Sequence, residues 1–187
     1  WVNSKMNLKV IEFGKNKLIS IWSRQEDISL YKKRIFDISL AIILIILLFP
    51  LLTLIALCIS ITTKNSFIFT QNRYGIDGKP FKIFKFRTMH VNETGFENNL
   101  KQATKDDSRI TKIGFFLRTL SLDELPQIFN VLLGSMSFVG PRPHAISHNQ
   151  FYRYKINGYM QRHSFKPGIT GLAQIKGLRG ETKTIIE

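Results

Sequence analysis

Between Asp37 and Lys64 the chain carries no charge, and Ile38 to Ile61 reads I-S-L-A-I-I-L-I-I-L-L-F-P-L-L-T-L-I-A-L-C-I-S-I. A straight helix of those 24 residues would run about 36 Å, against a bilayer hydrocarbon core of about 30 Å. It is apolar on every side, which a core helix of a soluble domain does not need. It is also too long for a signal-peptide core, and no small-residue cleavage site follows. The segment belongs in a membrane. Pro50 lies near its midpoint and is expected to bend it. Lys32, Lys33 and Arg34 precede the run and Lys64 follows it, so the positive-inside rule places both flanks on the cytoplasmic side. A helix that enters, bends at Pro50 and returns satisfies both flanks. Spanning helices tolerate proline too, so the residues alone leave re-entrant and spanning forms open.

Outside this run the patterns are shorter. Apolar residues at Leu8, Ile11, Leu18, Ile21 and Trp22 suit short amphipathic helices at a membrane surface, or a connector from an upstream region. Phe67 to Gln71 and Phe81 to Met89 are rich in strand formers around an Asp77-Gly78 turn signal, which predicts a β-hairpin. Val91 to Asp107 is polar and reads as a loop. Ile110, Ile113, Phe116, Leu117 and Leu120 give Arg109 to Leu120 a helical period. Leu125 to Leu133 predicts a second helix, stopped by Gly134. Phe151 to His163 reads as a third, and Lys166 onward as a glycine-punctuated loop. The class is therefore α+β and mainly helical. It divides into residues 1–30, a membrane segment at 31–64 and a domain at 65–187.

Composition adds one constraint. Lys and Arg number 27 against 13 Asp and Glu, a formal charge of +14 over 187 residues. Such an excess points to anionic partners: phosphorylated small molecules, an anionic membrane face or nucleic acid. One cysteine, Cys58, excludes an intramolecular disulfide framework and a cysteine-based zinc ribbon. The chain starts at Trp1 and ends at Ile185-Ile186-Glu187, which reads as a piece cut from a longer protein.

The most informative stretch is Arg118-Thr-Leu-Ser-Leu-Asp123-Glu124-Leu-Pro126-Gln127. Ser121 and Glu124 match a capping box, but that register would put Pro126 inside the helix, where its missing N–H breaks the ladder. An N-cap at Asp123 or Glu124 puts Pro126 in the first turn, with both carboxylates at the positive end of the helix dipole. There Asp123 would stay ionised, as a nucleophile must, and Glu124 could hold a divalent cation. Capping alone explains the same residues. Gly140-Pro141-Arg142-Pro143 is a rigid turn that either presents Arg142 to a phosphate or leaves it solvated. Lys166-Pro-Gly-Ile-Thr-Gly-Leu-Ala-Gln174 and Gly177-Leu-Arg179-Gly180 offer glycines and cations for phosphate, without the Walker pattern. Lys82 and Lys85 alternate with Phe81, Ile83, Phe84 and Phe86, either facing a nucleotide or membrane or lying on a solvated strand edge. His144 and His148 lack the intervening Glu of a zincin helix, so a metal site there is disfavoured.

In this order, the motifs resemble the bacterial sugar transferase family, the monotopic polyprenyl-phosphate phosphoglycosyl transferases. The pieces are Lys33-Arg34-Ile-Phe-Asp37, Phe69-Thr-Gln71-x-Arg73-x-Gly75, Phe84-Lys85-Phe-Arg-Thr-Met89, Leu120-Ser-Leu-Asp123-Glu124-Leu-Pro126-Gln127, Gly140-Pro-Arg142-Pro143 and Pro167-Gly-Ile-Thr-Gly-Leu-Ala-Gln174. The tail, with Lys166, Gly177 and Arg179, looks most like the exopolysaccharide-initiating branch that moves glucose-1-phosphate. The resemblance implies a re-entrant helix bent at Pro50, a cytoplasmic catalytic domain on the bacterial inner membrane, a UDP-sugar donor, undecaprenyl phosphate as acceptor and Mg²⁺. It implies Asp123 as the nucleophile, Glu124 as the Mg²⁺ ligand, and Lys85, Arg118 and Arg142 as phosphate-binding cations. Homo-oligomer formation and the identity of the sugar are left open. Phe49 before the bend proline and Ser135 after Gly134 depart from the family pattern, which also continues beyond Glu187 with further membrane-packing helices. The rival reading is a non-catalytic, membrane-anchored basic module binding anionic lipid or nucleic acid. It leaves Asp-Glu-Leu-Pro and Gly-Pro-Arg-Pro unexplained, so no nucleic-acid partner is expected.

Overall fold

The computed structural model describes residues 6–13, 16–23, 27–63, 65–90 and 107–177, with side chains from residue 30 onward. Contacts divide the chain into two units, residues 1–37 and 38–187. In the first, strands β1 (Met6–Phe13) and β2 (Asn16–Ser23) pair antiparallel, with Phe13 opposite Asn16. Strands thus stand where the sequence suggests short helices or a connector. The apolar spacing fits either period, and the β-branched Val10, Ile11, Ile19 and Ile21 favour the extended form.

Helix α1 (Asp27–Thr63) is one helical element of 37 residues that contains Pro50, so both halves of the expected hairpin belong to it. Thr53, Ser60, Thr62 and Thr63 each donate a hydroxyl to the carbonyl four residues earlier, which satisfies their polar groups within the helix. Within the second unit, Ala41, Leu44, Ile45, Leu48, Leu52, Ile55 and Ile59 recur at three- and four-residue steps and line the face of α1 that packs inward. Ile43, Ile46, Leu47, Phe49, Leu54, Leu57 and Ile61, on the other side, are all more than half exposed.

The inward face meets a small α+β body. Strands β3 (Ile68–Tyr74) and β4 (Pro80–Phe86) form the expected antiparallel hairpin around a 3₁₀ turn at Ile76–Gly78. Helix α2 (Lys112–Thr119) starts later than its periodicity suggests, because the Thr111 hydroxyl accepts the Gly114 N–H at 2.8 Å and caps it there. Helix α3 (Gln127–Leu133) ends at Gly134 as expected. Strand β5 (Ser137–Val139) pairs in parallel with β6 (Gly168–Thr170), and short helix α5 (Leu172–Ile175) follows, where the sequence suggests only a loop. The expected helix from Phe151 to His163 is replaced by α4 (Ile146–Tyr152) and a 3₁₀ turn at Tyr159–Ser164, interrupted at Gly158. The polar stretch 91–106 and residues 178–187, Arg179 among them, lie outside the described residues.

Two apolar cores hold this unit. Ala41, Ile83, Ile128, Val131 and Met136 form one, and Leu52, Ile55, Ile59, Phe86 and Leu117 the other. Leu48 and Leu125 border both. Leu125 follows Asp123-Glu124 directly, so the carboxylate pair is anchored where α1, β4, α2 and α3 converge.

Candidate active site

The connection from α2 to α3 begins with Ser121 in the left-handed region (φ 60°, ψ 19°) and continues as a 3₁₀ turn at Leu122–Glu124. Ser121 makes no side-chain cap, so the capping-box register is absent, and Pro126 rather than either acid is the N-cap of α3. The proline loses no ladder bond there. Its place leaves both carboxylates on the turn before the helix, with Glu124 buried and Asp123 half-buried.

Glu124 is gripped from two directions. Lys85 Nζ, on β4, donates to its Oε1 at 2.9 Å. Arg142 donates Nη2 to Oε1 at 2.7 Å and Nη1 to Oε2 at 3.2 Å, a two-pronged contact. Burial alone would raise the Glu124 carboxyl, but the Arg142 and Lys85 contacts outweigh it and hold the group ionised, well below the ordinary carboxylate range. The negative charge of Asp123 favours the charged forms of both Lys85 and Arg142, which places it within electrostatic reach of each. Burial pulls the neighbouring Arg73 guanidinium down to about 10, helped by Arg142 and opposed by Glu124, so it stays cationic at neutral pH.

The supports of these two cations are built into the backbone. Asn130, buried on α3, accepts the Phe84 N–H at 2.9 Å and donates to the Lys82 carbonyl at 2.7 Å. It thereby fixes the stretch of β4 that carries Lys85. In the Gly140-Pro-Arg-Pro turn, three consecutive carbonyls are each held by a different segment. Gly168 N–H donates to Pro141 O at 3.0 Å, the Arg162 guanidinium to Arg142 O, and Arg73 Nη1 to Pro143 O at 3.2 Å. A Cβ at Gly140 would lie 2.2 Å from Lys166 O, and one at Gly168 would lie 2.1 Å from Gly140 N, so both positions require glycine. Beside Glu124 a cleft opens, lined by Arg73, Ile83, Lys85, Gln127, Arg142 and Pro143.

No group of three or more His, Cys, Asp or Glu side chains gathers among the described residues. The donor set nevertheless suits a divalent cation such as Mg²⁺, which is commonly held by one or two carboxylates together with substrate phosphates. Glu124 meets Lys85 and Arg142 through three hydrogen bonds, and Asp123 supplies a second carboxylate beside it.

The motif residues Asp123, Glu124, Lys85 and Arg142 thus share one site, with Lys85 and Arg142 meeting Glu124 rather than standing free for a phosphate. The family model described as bacterial sugar transferase matches residues 28–187. The chain belongs to that family. It is 57% identical over 158 residues to the UDP-glucose:undecaprenyl-phosphate glucose-1-phosphate transferase of Klebsiella pneumoniae, covering 84% of this chain and 34% of that protein. It is 56% identical over 153 residues to the protein of the same name from Escherichia coli (strain K12), covering 82% and 32%. It is 44% identical over 153 residues to the exopolysaccharide production protein PSS of Rhizobium leguminosarum bv. phaseoli, covering 80% and 76%. The chain thus spans about a third of the length of the first two relatives and about three quarters of the third.

In this member of the family, four of the anticipated residues, Asp123, Glu124, Lys85 and Arg142, come together. Arg118, in the last turn of α2, donates Nε to the Thr88 hydroxyl at 2.9 Å. Lys166 contributes backbone against Gly140, and Gln174 on α5 donates to Ile169 O at 3.4 Å, so both brace the β5–β6 junction beneath Arg142. Three residues join the site without having been singled out from sequence: Arg73 and Gln127 in the cleft, and Arg162 behind Arg142. The first two lie inside quoted motifs, Phe69-x-Gln-x-Arg73 and Leu-Pro-Gln127. Arg162, beside His163 at the end of the expected third helix, carries no local signal.

Proposed function

We propose that this protein transfers a sugar-1-phosphate, glucose-1-phosphate in the first instance, from a UDP-sugar to undecaprenyl phosphate at the bacterial inner membrane. The observation that carries the reading is the Asp123-Glu124 pair, with Glu124 fixed by Lys85 and Arg142, in a chain belonging to this family. The names of the relatives support the donor and acceptor.

In the proposed first step, an Asp123 carboxylate oxygen attacks the sugar-bearing phosphorus of the donor. The bond to the nucleotide-side bridging oxygen breaks, UMP leaves with that electron pair, and a phosphosugar ester of Asp123 remains. In the second step, a phosphate oxygen of undecaprenyl phosphate attacks the same phosphorus. Asp123 leaves as carboxylate, and the lipid carries a diphosphate-linked sugar. Lys85 and Arg142, preorganised by Glu124, Asn130 and the carbonyl clamps, would stabilise charge on the phosphoryl oxygens, with Arg118 supplying further positive charge at the end of α2. Mg²⁺, when bound, would be held by Glu124 and Asp123 with the donor's phosphates and would neutralise part of the diphosphate charge.

The acceptor is a lipid, and α1 is long and apolar enough to cross a membrane. We propose that it enters and returns on the cytoplasmic side. Residues on both sides of Pro50, from Ala41 to Ile59, pack on one body that also carries Lys85, Glu124 and Arg142, over about 27 Å of helix. A helix crossing the bilayer would draw β4 and α3 into hydrocarbon with it, whereas a re-entrant helix keeps them at the surface. The test is UMP release by the purified protein from a panel of UDP-sugars, with undecaprenyl phosphate and Mg²⁺. UDP-glucose is expected to be the preferred donor, and absence of release from every donor would refute the reading.

A further inference from the structure

The cleft beside Glu124 is lined by three cations, Arg73, Lys85 and Arg142, and by no carboxylate. Lys85 and Arg142 both meet Glu124 directly. Arg73 is different. Among the described residues its hydrogen bonds go to neutral acceptors, Gln71 Oε1 and Pro143 O, and its Nε–H is buried with no partner at all. A half-buried guanidinium with a buried, unpartnered Nε–H, beside a second guanidinium and without a carboxylate of its own, is an expensive way to hold one loop carbonyl, since a neutral donor would serve. The same charge becomes favourable once an anion enters, and a guanidinium fork matches phosphate oxygens in pairs. Gln127, 2% exposed, adds a neutral amide to the same lining.

We propose that Arg73, with the Gln127 amide, forms the seat of a phosphate group distinct from the phosphoryl group transferred at Asp123. This rests on the proposed function for the source of that phosphate, which is either the nucleotide-side phosphate that leaves as UMP or the phosphate of the polyprenyl acceptor. Arg73 recognises the chemistry the two share, and kinetics separates them.

The test compares the parent protein with Arg73→Gln and Arg73→Lys. Thermal unfolding is followed while UMP or inorganic phosphate is titrated. Loss of one charge-assisted contact should weaken the half-effect concentration about tenfold to a hundredfold in Arg73→Gln, and less in Arg73→Lys, which keeps the charge without the fork. KM is then measured for UDP-glucose in UMP release without lipid, and for undecaprenyl phosphate in the complete reaction. A rise confined to the first places the nucleotide-side phosphate on Arg73, and a rise confined to the second places the acceptor phosphate there. Should Arg73→Gln fail to fold, Arg73→Lys carries the comparison. Unchanged ligand midpoints and unchanged KM values would overturn the proposal, and a lower ligand-free unfolding temperature alongside them would make Arg73 only a clamp on Pro143. If no UDP-sugar yields UMP while the phosphate midpoint still depends on Arg73, the proposed reaction fails and the seat stands.

Discussion

A carboxylate buried between two cations has lost its hydration and recovers much of it through them, so Glu124 is both positioned and positioning. Glu124→Gln keeps the shape but removes the charge that Lys85 and Arg142 meet directly, leaving Asp123 as the nearby compensation. Breaking such a pair from one side typically costs about 3–5 kcal/mol. We expect a clearly lower unfolding temperature together with loss of activity, and an unchanged melting curve would show the triad to be energetically idle. His144 makes a second, pH-dependent prediction. Its Nδ1 lies 2.6 Å from the Tyr159 hydroxyl and 2.8 Å from Arg162 Nη1, so the ring proton sits on Nε2. Burial first, and then the positive charges of Arg162, His148, Arg73 and Arg142, push it down to about 3. The unfolded chain binds a proton near pH 6.5, so the contribution of this group is complete above that value and is lost as pH falls toward 3. Unfolding temperature should therefore drop more steeply between pH 6.5 and 4 in the parent than in His144→Gln, and parallel curves would contradict the assignment. The acid pair, Lys85 and Arg142 were legible in sequence because they stand in compact motifs. Arg73 stands in the sequence only as one position of the Phe69-to-Gly75 motif. Arg162 was invisible, because its role arises from a turn folding back 20 residues later onto the Arg142 carbonyl.

At the scale of elements, the site depends on segments that hold one another by backbone groups as well as by apolar area. Asn130 acts as a side-chain strand along β4, and Asn130→Ala would leave the Phe84 N–H and Lys82 C=O without that partner. We expect about 1–3 kcal/mol of destabilisation, with a loss of activity larger than the loss of folded protein accounts for, because Lys85 is no longer held at Glu124. Full specific activity in the folded fraction would contradict this. The same feature explains what the sequence did and did not convey. Alternation and turn signals located the β3–β4 hairpin, and helical period located α2 and α3. The glycines of Pro167 to Gln174 read as a phosphate loop, yet Gly168 donates its N–H to Pro141 O and packs on Gly140. A glycine needed for close backbone approach looks the same in sequence whether the approaching group is a ligand or another strand. Residues 6–23 misled in the opposite direction, since their apolar spacing fits two periods and only β-branching favours strands.

For the whole molecule, the apolar run was unmistakable in sequence because length and charge alone define it, whereas its packing partner was not. Knowing that α1 offers one face to the body and leaves the other exposed required the fold. Single cysteines near residues 30 and 66, in a Cys58-free background, should both resist a membrane-impermeant thiol reagent in intact cells. Labelling at residue 30 alone would establish a single crossing and remove the re-entrant reading. Pro50→Leu should shift part of the population toward that pattern, because it restores an uninterrupted apolar helix. The central claim is that Asp123 carries the sugar phosphate between donor and lipid, and intact-mass analysis tests it most directly. After incubation with UDP-glucose and Mg²⁺ in the absence of acceptor, the parent protein should gain the mass of one phosphosugar on the peptide containing Asp123 and release UMP in equal amount, and undecaprenyl phosphate should discharge the adduct. Asp123→Asn should show neither adduct nor release. Turnover by Asp123→Asn, or UMP release by the parent that begins only when undecaprenyl phosphate is added, would contradict the account.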